Sequence, residues 1–168
     1  MASAETLVTA RLTLTPLAVA DAAEMADVLS DPGLYTFTGG EPPSRDQLAE
    51  RYRFQLAGAP PGETWHNWII RLEGAALGYV QATVTGAQAD LAWVVGVPWQ
   101  GRGYAREAAT AMRDCLAGRG VTAFSAHVHP EHEASQRVAA SLGLRPSGRL
   151  DAEGEMIWTG SGLPAAER

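Results

Sequence analysis

The sequence predicts a mixed α/β domain, α+β in layout, with helices packed on one mixed central sheet. Three observations carry that reading. Strand-like alternation and helical spacing interleave along the whole chain, with no linker or repeat dividing it. The middle, 65–95, is strand after strand separated only by short turns. A glycine-rich turn then runs straight into an alanine-rich helix at QGRGYAREAATAM, 100–112. The order read from these signals is β-α-α-β-β-β-α-β-α-β-β.

RLTLTP, 11–16, alternates as a strand does. Asp21 to Leu29 reads as a helix, with Asp21 and Glu24 at capping-box spacing and Met25, Val28 and Leu29 on one face. DPGLYTFTGGEPPS, 31–44, is rich in turn residues and reads as a loop. A second helix begins at Ser44, with Gln47 three residues on and Leu48, Tyr52 and Leu56 as its apolar stripe. Trp65–Leu72, Leu77–Thr85 and Asp90–Val95 are the next strands, with turns at Glu73-Gly74 and 86–89. Gly103 to Leu116 is the central helix, with Ala105, Ala108, Ala109, Met112 and Leu116 at helical spacing. Ala123–His129 is a buried strand. Glu133–Leu142 is a helix with Ala134, Val138 and Leu142 in register, ending at Gly143. Arg145–Leu150 and Glu155–Thr159 close the chain as a hairpin across DAEG.

The 168 residues fit one domain spanning 1–168. A hydrophobic share of 46 % argues against disorder. No apolar run approaches the ~20 residues that span a bilayer. The N-terminus lacks the basic-then-apolar pattern of a leader. Cys115 is the single cysteine, which excludes an internal disulfide and fits a reducing compartment. The expectation is a cytoplasmic protein with no membrane partner. A formal net charge of -6 disfavours nucleic acid, which needs a basic face. It does not disfavour a small anion held at a helix N-terminus.

Three phosphate-binding patterns compete for 100–105. A P-loop needs GxxxxGK[ST], and no such run exists. A dinucleotide fingerprint needs GxGxxG. Gly101 and Gly103 fit it, but Arg106 holds the third glycine position, and the stretch follows an antiparallel-looking meander. The third pattern is Gln-x-x-Gly-x-Ala, met by Gln100, Gly103 and Ala105. There the backbone N–H groups turn outward, the glycines let a phosphate approach, and the helix dipole adds to the field. An ordinary strand-to-helix turn remains the alternative for this stretch alone.

Three stretches together resemble the GNAT superfamily of acyl-CoA-dependent N-acyltransferases, in its RimJ/RimL-like branch. ARLTLTPL is similar to the branch's opening strand. DLAWVVGVPWQGRGYAREA is similar to the family's strand, splay and acetyl-CoA pyrophosphate loop. HVHPEHEASQRVAASLGL, 127–144, resembles V-x-P-x-N-x-x-S-x-x-V-x-x-x-L-G-F. The matches occur in order and span nearly the full chain. The resemblance implies acetyl-CoA as co-substrate, with no metal. Gln100, Gly101, Arg102, Gly103, Tyr104 and Ala105 match the loop, with Arg102 and Arg106 adding charge. Val95 and Val97 match the positions whose backbone pairs with pantetheine like an added strand. Gly96 allows a bulge and Pro98 ends the ladder, so the strand can splay from its neighbour. The strand from Ala123 forms the other wall.

Transfer to an amine needs a proton acceptor, an oxyanion donor and a proton for the departing thiolate. Candidates for the acceptor are Asp90, Glu41, His66, His127 and ordered water. Asp90 ranks first, because the resemblance places it where many relatives carry a glutamate. Alternation puts His66 and Trp68 on one face of their strand, Trp65 and Asn67 on the other. His127 and His129 share a face, where packing or solvent is the simpler reading. The family's tyrosine acid would fall near Ala139 and is absent. Ser135 matches and can donate to the sulfur or the coenzyme. His132 stands where the branch has asparagine, a departure that puts that contact in question. Cys115 reads as a core thiol. Tyr35, Phe37, Glu41, Trp65 and Trp68 are candidate walls for the acceptor.

The leading expectation is an N-acetyltransferase for a primary amine, either a protein N-terminus or a small molecule. The alternative is a non-catalytic acetyl-CoA sensor. A nucleotide-binding oxidoreductase is disfavoured by Arg106 and the element order. Oligomeric state stays open, a homodimer included.

Overall fold

The structure is a computed structural model and describes residues 4–161. Residues 1–3 of the expected leaderless N-terminus, and the end of the 1–168 domain, lie outside the described residues. One sheet runs through the molecule, built from β1 (Leu7–Val8), β2 (Thr13–Pro16), β3 (Thr64–Leu72), β4 (Ala75–Thr85), β5 (Gln88–Val95), β6 (Ala123–Val128), β7 (Arg145–Leu150) and β8 (Met156–Ser161). Its strand order is β1-β2-β3-β4-β5-β6-β8-β7. All neighbours are antiparallel except β5 and β6, which are parallel. The helices are α1 (Ala22–Val28), α2 (Arg45–Ala57), α3 (Tyr104–Gly118) and α4 (Glu133–Ser141). This is the mixed architecture that the order of elements predicts.

Alternation along the strands sends side chains to two cores. Leu14, Trp68, Val80, Leu91 and Phe124 pack against Ala108, Ala109, Met112 and Leu116 of α3 and Ala139 of α4. On the opposite face Ile69 packs with Met25 and Val28 of α1 and Leu48 and Tyr52 of α2. The sheet therefore lies between two helical layers. Met112 is fully buried and Leu116 nearly so, and each contributes about 1.5–3 kcal/mol of apolar burial. The β3–β4 connection turns at Glu73 and Gly74, both with positive φ (51° and 87°). Two positive φ values in succession match the right-handed twist of a tight hairpin.

Several local expectations need correction. The first strand starts at Thr13, not Arg11, and the additional strand β1 precedes it. Asp21 and Glu24 do not form a capping box. Both carboxylates turn to Arg71 of β3, at 2.9 Å each. Asp21 also accepts the N–H of Ala18, and Glu24 that of Ala76. A guanidinium held by two carboxylates outcompetes a local cap, because charge-assisted bonds are the stronger ones. The capping box at Ser44 and Gln47 does form, with bonds of 2.8 and 3.1 Å. Leu56 drops out of the apolar stripe of α2 and is 50 % exposed. In α4 Ala134 is exposed, and Ala139 takes the buried position instead.

The splay is present, but not through a bulge. The β4–β5 register runs unbroken from Thr85↔Gln88 to Gly78↔Val95. Gly96 continues it by donating to Leu77 O at 2.8 Å, with an ordinary φ of -59°. A side chain at Gly96 would meet the Trp99 ring at 2.8 Å and Val28 O at 2.9 Å, so close packing excludes one there. The opening comes from the parallel pair. β5 and β6 are in register only from Gln88↔Ala123 to Leu91↔Ala126. Beyond that point β5 follows β4 to Val95, while β6 follows β8 to Val128.

Candidate active site

The cleft opens between Ala92–Val95 and His127–Val128. By strand alternation, Trp93 and Val95 turn their backbone N–H and C=O toward the missing neighbour. The Gln100 side chain already takes one of these groups, donating to Val95 O at 2.9 Å. Val97 begins a single 3₁₀ turn, Val97–Trp99, that carries the chain from the cleft to the glycine-rich loop.

In that loop Gly101 and Gly103 both lie in the left-handed region, at φ 79° and 82°. Gly103 is the N-cap of α3, and no side chain caps the helix. Glu107 is the first residue whose N–H finds a helical acceptor, Gly103 O, at 3.0 Å. The N–H groups of Tyr104, Ala105 and Arg106 therefore have no acceptor within the helix. Arg102 and Arg106 are exposed, and their side chains form no ion pair among the described residues. A loop of free donors and two guanidinium groups at a helix N-terminus fits a pyrophosphate. The Tyr104 side chain plays no part in that surface, being 8 % exposed and packed in the core.

Arg11, outside the first strand, holds this loop from below. Its Nε donates to Glu107 Oε1 at 2.7 Å and its Nη1 to Arg102 O at 3.0 Å. Its guanidinium lies 4.6 Å from the Tyr104 ring centroid. Burial alone would raise the Glu107 pKa, but hydrogen bonds from Thr9 and Arg11 outweigh it and lower it. Sequence reading quoted Arg11 only as part of a strand motif. Nothing local to it signals a partner in α3.

At the fork, Asp90 is aligned with Ser125 across β5 and β6. Ser125 Oγ donates to Asp90 Oδ1 at 2.9 Å. His127 Nε2 lies 3.4 Å from the same oxygen, and its Nδ1 is 2.7 Å from Asp151 Oδ2. Asp90 Oδ2 has no hydrogen-bond partner among the described residues. Burial raises the Asp90 pKa above the usual carboxylate value, against the lowering pull of Ser125 and His127. Burial pulls His127 down, but the bond to Asp151 and the charges of Asp90, Asp151 and Glu155 carry it above the ordinary imidazole value. His127, one of the candidate acceptors, is exposed and belongs to this cluster. Ser125 and Asp151 were missed, because their link to Asp90 exists only through sheet register.

The N-terminus of α4 forms the far side. His132 is its N-cap and makes no side-chain cap. Its Nε2 lies 3.5 Å from Ser135 Oγ. Phe37 stacks on the His132 ring at 4.6 Å and 16°, and tilts against His129 at 5.0 Å. The loop after α1 therefore reaches α4 through Phe37. Burial, then the nearby His129, lowers the His132 pKa, which favours the neutral imidazole. Ala139, at the position of the absent tyrosine, is fully buried.

The remaining candidates scatter. Tyr35 is partly buried, and its hydroxyl donates to Leu29 O at 2.8 Å. Glu41 is exposed, with no ion pair among the described residues. Trp65 shares its sheet face and row with Thr83 and Asp90, with its ring turned to Phe54 at 5.6 Å. Trp68 has its indole fully buried in the α3-side core, where it donates to Glu5 O. His66 lies beside it, 4 % exposed, and burial lowers its pKa. It is on the opposite face from Asp90. Cys115 is half-buried next to Glu5 instead of in the core, and burial raises its thiol pKa. Among the described residues no group of three or more His, Cys, Asp or Glu side chains is placed to hold a metal.

Residues 11–145 match the family model described as the acetyltransferase (GNAT) domain. An acetyltransferase from Agrobacterium tumefaciens str. C58 is 28 % identical, with a TM-score of 0.74 over 95 % of this chain and 96 % of that one. RimJ of Mycobacterium smegmatis, solved with a CoA-disulfide, superposes with a TM-score of 0.80 at 21 % identity, covering 97 % and 88 %. RimL, a ribosomal L7/L12 alpha-N-protein acetyltransferase solved with coenzyme A, gives 0.81 at 12 % identity, covering 94 % and 98 %. No curated protein matches the chain by sequence.

Proposed function

The chain belongs to the GNAT acetyltransferase family, and from that premise we propose that it acetylates a primary amine by direct attack within a ternary complex. It is an acyl-CoA-dependent acetyltransferase, and the proposal concerns its acceptor and its residues. One observation carries the reading of the site. Two left-handed glycines precede an uncapped helix at the end of β5, where the β5–β6 ladder has opened. That combination supplies a phosphate cradle next to an unpaired strand edge, which suits a coenzyme with a pyrophosphate and a peptide-like arm.

Acetyl-CoA supplies the thioester carbonyl. Backbone groups of 101–106, with Arg102 and Arg106, hold its phosphates. The edges of Val95 and Val97 accompany its arm. Asp90 Oδ2 accepts the proton of the incoming ammonium. Ser125 keeps Asp90 oriented through Oδ1, and His127, held at Nδ1 by Asp151, sets its Nε2 beside the same carboxylate oxygen. Ser135 donates a hydrogen bond to the departing sulfur, and the second proton lost by the amine leaves with that sulfur as the CoA thiol. The acceptor is either a peptide N-terminus, by analogy with RimL, an alpha-N-protein acetyltransferase, or a small amine.

Thermal denaturation tests the coenzyme assignment. Acetyl-CoA should raise Tm by mass action, and NADH and ATP at equal concentration should do so much less. No shift with any CoA thioester would overturn it. Acetyl transfer to N-terminal peptides and small amines then tests the acceptor class.

A further inference from the structure

Arg51, Tyr52 and Gln55 of α2 meet Asn67, Tyr79 and Gln81 of the sheet around a cavity of about 100 Å³. None of these six side chains makes a hydrogen bond or ion pair to another described residue. No acidic side chain lines the cavity. Burial pushes the Tyr52 hydroxyl up to about 12 and raises that of Tyr79, so both stay protonated and able to donate. A guanidinium, two phenols and three amides therefore converge on one space with nothing of the protein's own to satisfy them. Such a set of donors selects an oxygen-rich anion.

Sheet register ties this cavity to the fork. Asn67 is opposite Gln81, and Gln81 is opposite Ala92. Ala92 follows Asp90 by two residues, so all four lie on one sheet face. Strand spacing and rise put Gln81 and Asn67 about 8–12 Å from Asp90. We propose that the cavity binds a carboxylate of the acceptor, making the substrates primary amines with an anionic group about 8–12 Å from the reacting nitrogen. The inference rests on the placement of the amine at Asp90. A tripeptide with a free C-terminus has this span, and so does a longer peptide with an acidic side chain near its N-terminus.

Three probes separate these sources: Ala-Ala-Ala as the free acid, the same peptide as its C-terminal amide, and Ala-Ala-Glu amide. The free acid, or the glutamate peptide as well, should exceed the plain amide in kcat/KM by roughly tenfold or more, mainly through KM. Arg51→Gln should bring the acidic probes down to the amide's value. Arg51 is exposed on α2, so this variant should keep its fold, and Gln81→Met provides a second, independent test. Equal rates for all three peptides in the wild type would overturn the inference, as would a preference that survives both variants. If acetyl-CoA raises Tm but no probe is acetylated, the acceptor class is wrong. If acetyl-CoA gives no shift, the reading beneath it fails instead.

Discussion

Arg11 Nε and Glu107 Oε1 lie 2.7 Å apart, although 96 residues separate them in sequence. The same guanidinium donates to Arg102 O, so the N-terminal segment fixes the loop from outside α3. Arg11→Gln should therefore act on coenzyme binding more than on chemistry. Arg11 is partly exposed, which discounts the ion pair, but its several bonds converge on one loop. We expect KM for acetyl-CoA to rise roughly 5- to 30-fold, for a loss of about 1–2 kcal/mol, with kcat little changed. Steady-state kinetics on both substrates decides. A lowered kcat at unchanged KM would place Arg11 outside the loop's support.

The same pair sets an acid limit. The folded-state pKa of Glu107 is lowered, so its stabilising contribution is present above the ordinary glutamate value. That contribution is lost as pH falls through the lowered value. The Tm deficit of Glu107→Gln should be largest near neutrality and shrink in acid. A deficit that stays constant from pH 7 to pH 3 would contradict the assignment.

Gly103→Val should abolish coenzyme binding at moderate cost to the fold. A Cβ there would lie 3.3 Å from Arg11 Nη2, and valine strongly resists φ 82°. The strain should cost about 1–3 kcal/mol, while the side chain stands in the path of the phosphates. At Gly101 a Cβ would meet nothing within 4 Å, so Gly101→Ala should show strain alone and a smaller loss of affinity. Calorimetric titration with acetyl-CoA compares the two. Equal affinity in a folded Gly103→Val protein would make the turn a mere connector.

What the sequence disclosed was whatever local pattern controls. The helix start at Ser44, the glycine-rich turn and the β3–β5 meander were all legible, because caps, turns and alternation act over a few residues. The splay was expected at the right place for the wrong reason: Gly96 suggested a bulge, whereas β6 parts from β5 by following β8. Asp21 and Glu24 had capping-box spacing, yet Arg71 drew both carboxylates away from the helix start. The link from Asp90 to Ser125, His127 and Asp151 depends on register between strands distant in sequence, which no single-strand pattern encodes.

Asp90→Asn should lower kcat/KM by roughly 10²-fold, the scale of a lost general base, while acetyl-CoA affinity stays near wild type. The loss should shrink at high pH, where the free amine is abundant. His127→Gln should give a smaller loss and a distinct stability signature. The folded-state pKa of His127 is raised, so its stabilisation is fully present below the ordinary imidazole value and disappears as pH rises through the raised one. The Tm deficit of His127→Gln should therefore be largest near pH 5.5 and small by pH 9. An Asp90→Asn rate profile that overlays wild type would move the base to another residue or to water.

In the proposed reaction Ser135 acts on the leaving group, so it should behave differently from Asp90. Loss of its hydroxyl removes a donor near the sulfur, so the Ser135→Ala deficit should persist at high pH. His132 is stacked under Phe37 and placed with Nε2 3.5 Å from Ser135 Oγ, and burial lowers its pKa. We expect it to orient that hydroxyl, at the position where the family's asparagine is replaced. His132→Ala should lower kcat by roughly tenfold with the same flat pH dependence. Because both side chains would act through one hydroxyl, the double variant should be scarcely slower than Ser135→Ala alone. Phe37→Ala should reproduce part of the His132 defect by freeing the ring. Fully additive losses in the double variant would mean that the two residues act separately and that His132 does not work through Ser135.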